Sequence, residues 1–144
     1  MISHATRAEW DAPAADIEAI RQTALDYIES WYEGDGDRRA RCLHPNLAKR
    51  SVRTHPKTGR STLELMSATT LIEHTRSGAG RETPQERQQR DVTILDVFGN
   101  AASVKIVAAG WVDYLHVAKF NGEWVVVNVL WEMGSIDPAK SSTP

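Results

Sequence analysis

The dipeptide Asn121-Gly122 constrains this chain more than any other feature. It separates an apolar run ending at Phe120 from a second running from Glu123 to Met133. Asn-Gly tolerates positive φ at both central positions of a two-residue hairpin, the turn whose twist matches that of the flanking strands. Such a loop also fixes the register. Phe120 then opposes Glu123, and one face carries Lys119 with Trp124, Val117 with Val126, Leu115 with Asn128, Asp113 with Leu130 and Trp111 with Glu132. The other face carries Ala118 with Val125, His116 with Val127, Tyr114 with Val129 and Val112 with Trp131. The run Trp124-Val125-Val126-Val127 is apolar on both faces. Helices on one side of a sheet leave the other side wet, so a second apolar face implies a partner subunit, most simply by twofold symmetry.

Upstream the period changes from two to 3.6. Ile17, Ile20, Ala24, Tyr27, Ile28 and Trp31 form an apolar stripe on a helix expected over Asp16–Glu33, with Asp16 as its N-cap and Gly34-Asp35-Gly36 as its stop. A short helix, Asp37–Leu43, follows and ends at His44-Pro45, where proline disfavours helix and His44 caps the loop. Leu47–Thr54 and Arg60–Leu65 read as a strand pair. Ser67 caps a third helix over Ala68–Arg76, stopped by Gly78. The polar stretch from Gly78 to Gln89 reads as a loop, and Asp91–Phe98 as a strand closed by the Gly99-Asn100 turn. Ala101 to Phe120 reads as one long strand with a bend at Gly110. Helices first and an antiparallel meander last argue an α+β fold, with helices on one face of a curved sheet.

A chain of 144 residues, 41% hydrophobic and 25% charged, is one globular domain that needs neither disulfide nor structural metal. The domain is expected over residues 16–134, with an N-terminal extension (1–15) and a polar C-terminal tail (135–144). No apolar run is long enough for a membrane helix, and the amino end has no signal-type apolar core. Cys42 is the only cysteine, which fits a reducing cytoplasm and a small buried side chain. Nine acids and one base lie between Glu9 and Asp37, while eight bases and no acid lie between Arg38 and Arg60. The basic block lacks the interleaved aromatics that stack bases, so the two blocks are expected to face each other, within one chain or across a dimer, rather than nucleic acid. No metal-ligand spacing and no phosphate, dinucleotide or nucleophile-elbow motif occurs, so no metal or cofactor is expected.

The order of elements, with DYLHVAKFNGEWVVVNVLWE (113–132), CLHPNLAKR (42–50) and ELMSATTL, resembles the nuclear-transport-factor-2-like superfamily and, within it, the family labelled putative lumazine-binding. The resemblance covers about residues 16–133. It implies a cystatin-like, cone-shaped α+β barrel with three helices on its concave face, a homodimer, and a pocket between the concave sheet and the helices. Superfamily members include isomerases, cyclases, dehydratases and hydrolases as well as non-catalytic binders. Glu132 matches by count a catalytic aspartate of polyketide cyclases of the superfamily; the departures are a glutamate in its place and no matching histidine.

Placing the Trp124 face on the concave side puts Asp113 and Asn128 diagonally within reach of each other, with Glu132 one step further. A carboxyl in an apolar pocket has a raised pKa and can serve as general base or acid, which makes Asp113 and Glu132 the candidate catalytic groups; the structural alternative for Asp113 is a hydrogen bond to Asn128, Tyr114 or backbone. Arg50 alternates with Val52 and offers an inward cation for an oxyanion, or else a surface cation balancing the acids of the first helix. Tyr27 and Trp31 wall the pocket from the first helix. The expected ligand-binding set is therefore Tyr27, Trp31, Arg50, Trp111, Asp113, Asn128 and Glu132. The leading functional expectation is a dimeric binder of a small molecule. Proton-transfer chemistry on a small carbonyl compound comes next, and an assembly domain whose pocket is filled by its own side chains third.

Overall fold

The structure, a computed structural model, describes residues 10–136. Most of the expected N-terminal extension and polar tail lies outside the described residues. The elements run α1 (Ala14–Glu33), α2 (Gly36–Cys42), β1 (Leu43–Thr54), β2 (Ser61–Ser67), α3 (Ala68–Arg76), β3 (Arg90–Phe98), β4 (Ala101–Ala108), β5 (Trp111–Phe120) and β6 (Glu123–Met133). Two single turns of 3₁₀-helix, Ala79–Glu82 and Gln85–Arg87, shape the segment between α3 and β3. The six strands form one sheet in the order β2-β1-β6-β5-β4-β3. β1 and β6 run parallel and every other pair antiparallel, so the sheet is mixed rather than wholly antiparallel. The sheet is not closed, with β2 and β3 at its edges, and the expected cone-shaped α+β architecture is broadly consistent with it.

α1 lies on the sheet because Ile17, Ile20, Ala24, Tyr27 and Ile28 recur at helical spacing, and all are buried. Gly34 ends the helix at φ 70°, its N–H donating to the Trp31 carbonyl while Asp35 N–H reaches Ser30. Asp16 is not the cap: the helix starts at Ala14 after Pro13, and Asp16 sits in its first turn. Its carboxylate accepts from Lys119 Nζ and Trp124 Nε1, both at 3.2 Å, and so ties the helix start to the β5–β6 hairpin. Asp35 caps α2 by accepting from Arg38 N–H, and Ser67 caps α3 by accepting from Thr70 N–H. Arg38, first of the basic block, bonds Asp26, Glu29 and Glu33 along α1. The acidic and basic runs therefore meet within one chain at this corner.

Two departures from the expected sheet matter for the site. The run from Ala101 to Phe120 is two strands, with Ala108 opposite Trp111 across Ala109-Gly110. Gly110 takes φ 100°, which a tight turn needs at its second central position and which glycine alone adopts without strain. The second departure is in β6. Phe120 does oppose Glu123, as the Asn-Gly turn requires, and Val117 opposes Val126. Val127 is then left unpaired in a bulge, so that His116 opposes Asn128, Leu115 opposes Val129, Asp113 opposes Trp131 and Trp111 opposes Met133. One extra residue reverses side-chain parity beyond it. The assignment of β5 residues to the inner face stands; that of every β6 residue after Val127 is exchanged.

Candidate functional site

The bulge puts Trp131 and Met133 on the inner face beside Trp111. On β1 the buried residues Leu47, Lys49 and Ser51 set the inward parity. That parity continues to Arg53, while Arg50 and Val52 face the other way. The inner faces of the strands and the three helices line a cavity of about 290 Å³ that opens to solvent on one side. Trp31 comes from α1, Arg39 from α2, Leu71 and His74 from α3, Lys49 and Arg53 from β1, Met66 from β2, Trp111 from β5, and Trp131 and Met133 from β6. The volume is near the small end of the range of roughly 300–1,000 Å³ usual for small-molecule sites.

Beneath one wall lies a buried polar cluster. Asp113 is 0% exposed and Lys49 8%. Asp113 Oδ2 accepts from Trp111 Nε1 at 2.8 Å, which orients the indole along the cavity wall. Among the described residues Asp113 Oδ1 has no hydrogen-bond partner, and Lys49 Nζ stands 3.6 Å from it. The same ammonium donates to Tyr27 Oη at 2.9 Å and lies over the Tyr27 and Trp131 rings. A cation sealed in this way needs the carboxylate, the hydroxyl and the ring faces together to replace its lost hydration.

Tyr32 holds the far side. Its hydroxyl donates to the Gln89 carbonyl at 2.6 Å and accepts from Ala109 N–H at 3.0 Å, and its ring stands 6.4 Å from Trp111. Burial pushes the Tyr32 pKa above its ordinary value, so the phenol stays neutral and structural. Gly80 touches Trp31: a Cβ there would overlap the Trp31 carbonyl and crowd its indole, so only glycine lets this turn close against α1. Cys42 is no nucleophile at neutral pH, because burial pushes its thiol up to about 12.

The expected site residues fall into three groups. Trp31 and Trp111 line the cavity; Tyr27 and Asp113 lie behind it and meet through Lys49. Arg50, Asn128 and Glu132 do not line it, because they stand on the opposite face of the sheet. Asn128 Oδ1 accepts from Arg50 at 3.2 Å, Asn128 Nδ2 lies 3.1 Å from His116 Nδ1, and Glu132 is exposed opposite Val112. The expected juxtaposition of Asp113 with Asn128 is thus corrected by the single bulged residue, and the partners of Asp113 are Trp111 and Lys49. Sequence reasoning missed Arg39, Lys49 and Trp131. The alternation Leu47-x-Lys49-x-Ser51 carried the signal for Lys49, since Leu47 marks the inward face. Nothing in the sequence marked the bulge that turns Trp131 inward.

Among the described residues no group of three or more His, Cys, Asp or Glu side chains is placed to hold a metal, and no helix is long and apolar enough to cross a membrane. The fold is that of the nuclear-transport-factor-2-like proteins. A structure from Shewanella baltica OS155, an NTF2-like protein of unknown function, superposes with a TM-score of 0.65 at 16% identity, over 88% of this chain and all of that one. NTF2-like proteins from Silicibacter pomeroyi DSS-3 (TM-score 0.62, 20% identity, 83% of this chain and 97% of that) and Methylobacillus flagellatus KT (0.62, 17%, 87% and 97%) match similarly. A Nostoc punctiforme domain with a cystatin-like fold matches at 0.52 and 13% identity, over 90% of this chain and 83% of that. The family model described as "Putative lumazine-binding" matches residues 15–132, and the chain belongs to that family. A comparison with curated proteins finds no match.

Proposed function

We propose that the protein is a cytoplasmic small-molecule binder that works as a homodimer, with its ligand held between the concave sheet face and the helices. The observation that carries this reading is the 290 Å³ cavity left open among Trp31, Trp111 and Trp131. Three indoles around a space they do not fill form flat apolar walls for a ring-shaped ligand. An assembly domain with a self-filled pocket would leave no such space. The family description supports the reading and makes lumazine the first compound to test.

The dimer rests on the outer sheet face. Val52 opposes Leu63, Arg50 lies between Leu65 and Leu130, and Tyr114 opposes Leu130, so five large apolar side chains, all exposed, form one patch. Sedimentation is expected to give twice the chain mass at micromolar concentration, and Leu130→Glu to give the monomer. For the pocket, titration of lumazine and other flat heterocycles should shift the tryptophan emission. Leu71→Trp, which fills the cavity, should abolish the shift; a shift that persists in Leu71→Trp contradicts the assignment.

The buried cluster favours a second reading, proton-transfer catalysis. Among the described residues Asp113 Oδ1 is unpartnered by hydrogen bonds and lies beside Lys49, which borders the cavity. This reading expects the protein to catalyse hydrogen–deuterium exchange next to the carbonyl of an enolisable ketone, and Asp113→Asn to stop it.

A further inference from the structure

We propose that the pocket is built for a planar organic anion, a ring system carrying one carboxylate, whose charge is matched by the guanidinium of Arg39. The proposal rests on the pocket reading above and adds the charge and shape of the ligand. Arg39 is 3% exposed and borders the cavity. Its Nε and Nη1 are buried and have no hydrogen-bond partner among the described residues. Its guanidinium lies over the Tyr27 ring, 4.3 Å from the centroid, and 5.4 Å from that of Trp31. The ring faces stabilise the charge but accept none of its in-plane hydrogen bonds. A guanidinium does not shed its proton, so its charge stays and calls for a counter-anion.

The neighbouring cations make the contrast. Arg38, the preceding residue, takes up Asp26, Glu29 and Glu33. Lys49 is matched by Asp113, and Arg53 by Glu64 at 3.3 Å. Among the described residues, Arg39 alone of these cavity charges stands without a carboxylate, which leaves one positive charge. A single carboxylate in the cavity cancels it. Trp31, on which the guanidinium also leans, extends the same wall, and Trp111 and Trp131 complete a slot for the attached ring.

The test uses naphthoate and its uncharged analogue naphthamide, titrated calorimetrically into the wild-type protein and into Arg39→Met. Naphthoate is expected to bind the wild type at least about tenfold more tightly than naphthamide, and the gap to close to about twofold or less in Arg39→Met. Unliganded Arg39→Met is expected to melt no lower than the wild type, since it loses an unmatched buried charge; a merely structural arginine would lower the melting temperature without altering the preference between the probes. If Arg39→Met does not fold, Arg39→Gln takes its place: it removes the charge and keeps a polar head, and the gap between the probes is expected to close to about twofold or less there too. Equal affinity of the wild type for both probes overturns the anion assignment and leaves the pocket reading standing. A preference for naphthoate that survives in either variant overturns the role of Arg39. Binding of neither probe at about 1 mM overturns both the anion assignment and the pocket reading.

Discussion

Lys49 Nζ stands 3.6 Å from Asp113 Oδ1, with Lys49 at the cavity wall and Asp113 fully buried behind it. Removing one partner leaves the other as an uncompensated buried charge. Lys49→Met and Asp113→Leu are each expected to lower stability by about 3–5 kcal/mol. The double variant, which removes both charges, is expected to lose less than the sum, with a coupling of about 1–3 kcal/mol. Urea unfolding of the four proteins measures this; additive losses would mean the two groups do not sense each other.

Asp16 makes folding pH-dependent. The hydrogen bond from Trp124, then that from Lys119, hold its pKa below the ordinary carboxylate value in the folded state. A depressed folded pKa contributes stability above the unfolded value, and that contribution is lost as pH falls through the folded one. Asp16→Asn should therefore flatten the acid side of the stability profile below about pH 4 while lowering stability at neutral pH. Denaturant midpoints across the acid range check it, and parallel wild-type and variant profiles would contradict it.

Gly80 is expected to tolerate no side chain. Its added Cβ would meet Trp31 backbone, which cannot rotate away. Gly80→Ala should cost about 1–3 kcal/mol and shift the Trp31 environment, seen as a change in tryptophan emission of the folded protein. Wild-type stability and emission in the variant would contradict that contact.

The sequence and the structure agree where one local rule decides the outcome. Ser67 caps α3, Gly34 ends α1 and Asn121-Gly122 makes the two-residue hairpin, each because its own side chain or backbone sets the geometry. They part where two groups far apart in sequence compete for one residue. Asp16 has the chemistry of a cap, yet Lys119 and Trp124 claim its carboxylate. Ala109-Gly110 lacks the strong turn signal of Asn-Gly, so the β4–β5 turn reads as a bend. The bulge at Val127 has no local mark at all, since valine suits a regular strand, and from that one position Asn128 and Glu132 pass to the outer face while Trp131 enters the site. Arg39 is legible only once α2 is docked on Tyr27 and Trp31.

The proposed function depends on a cavity between the sheet and the helices that the protein's own side chains leave unfilled. A crystal structure of the protein as purified, with no small molecule added, tests it most directly. Density for a flat molecule between Trp31, Trp111 and Trp131, or a solvent-filled space of the same outline, is expected. Indole side chains of Trp31 or Trp131 rotated inward to fill that space would contradict it.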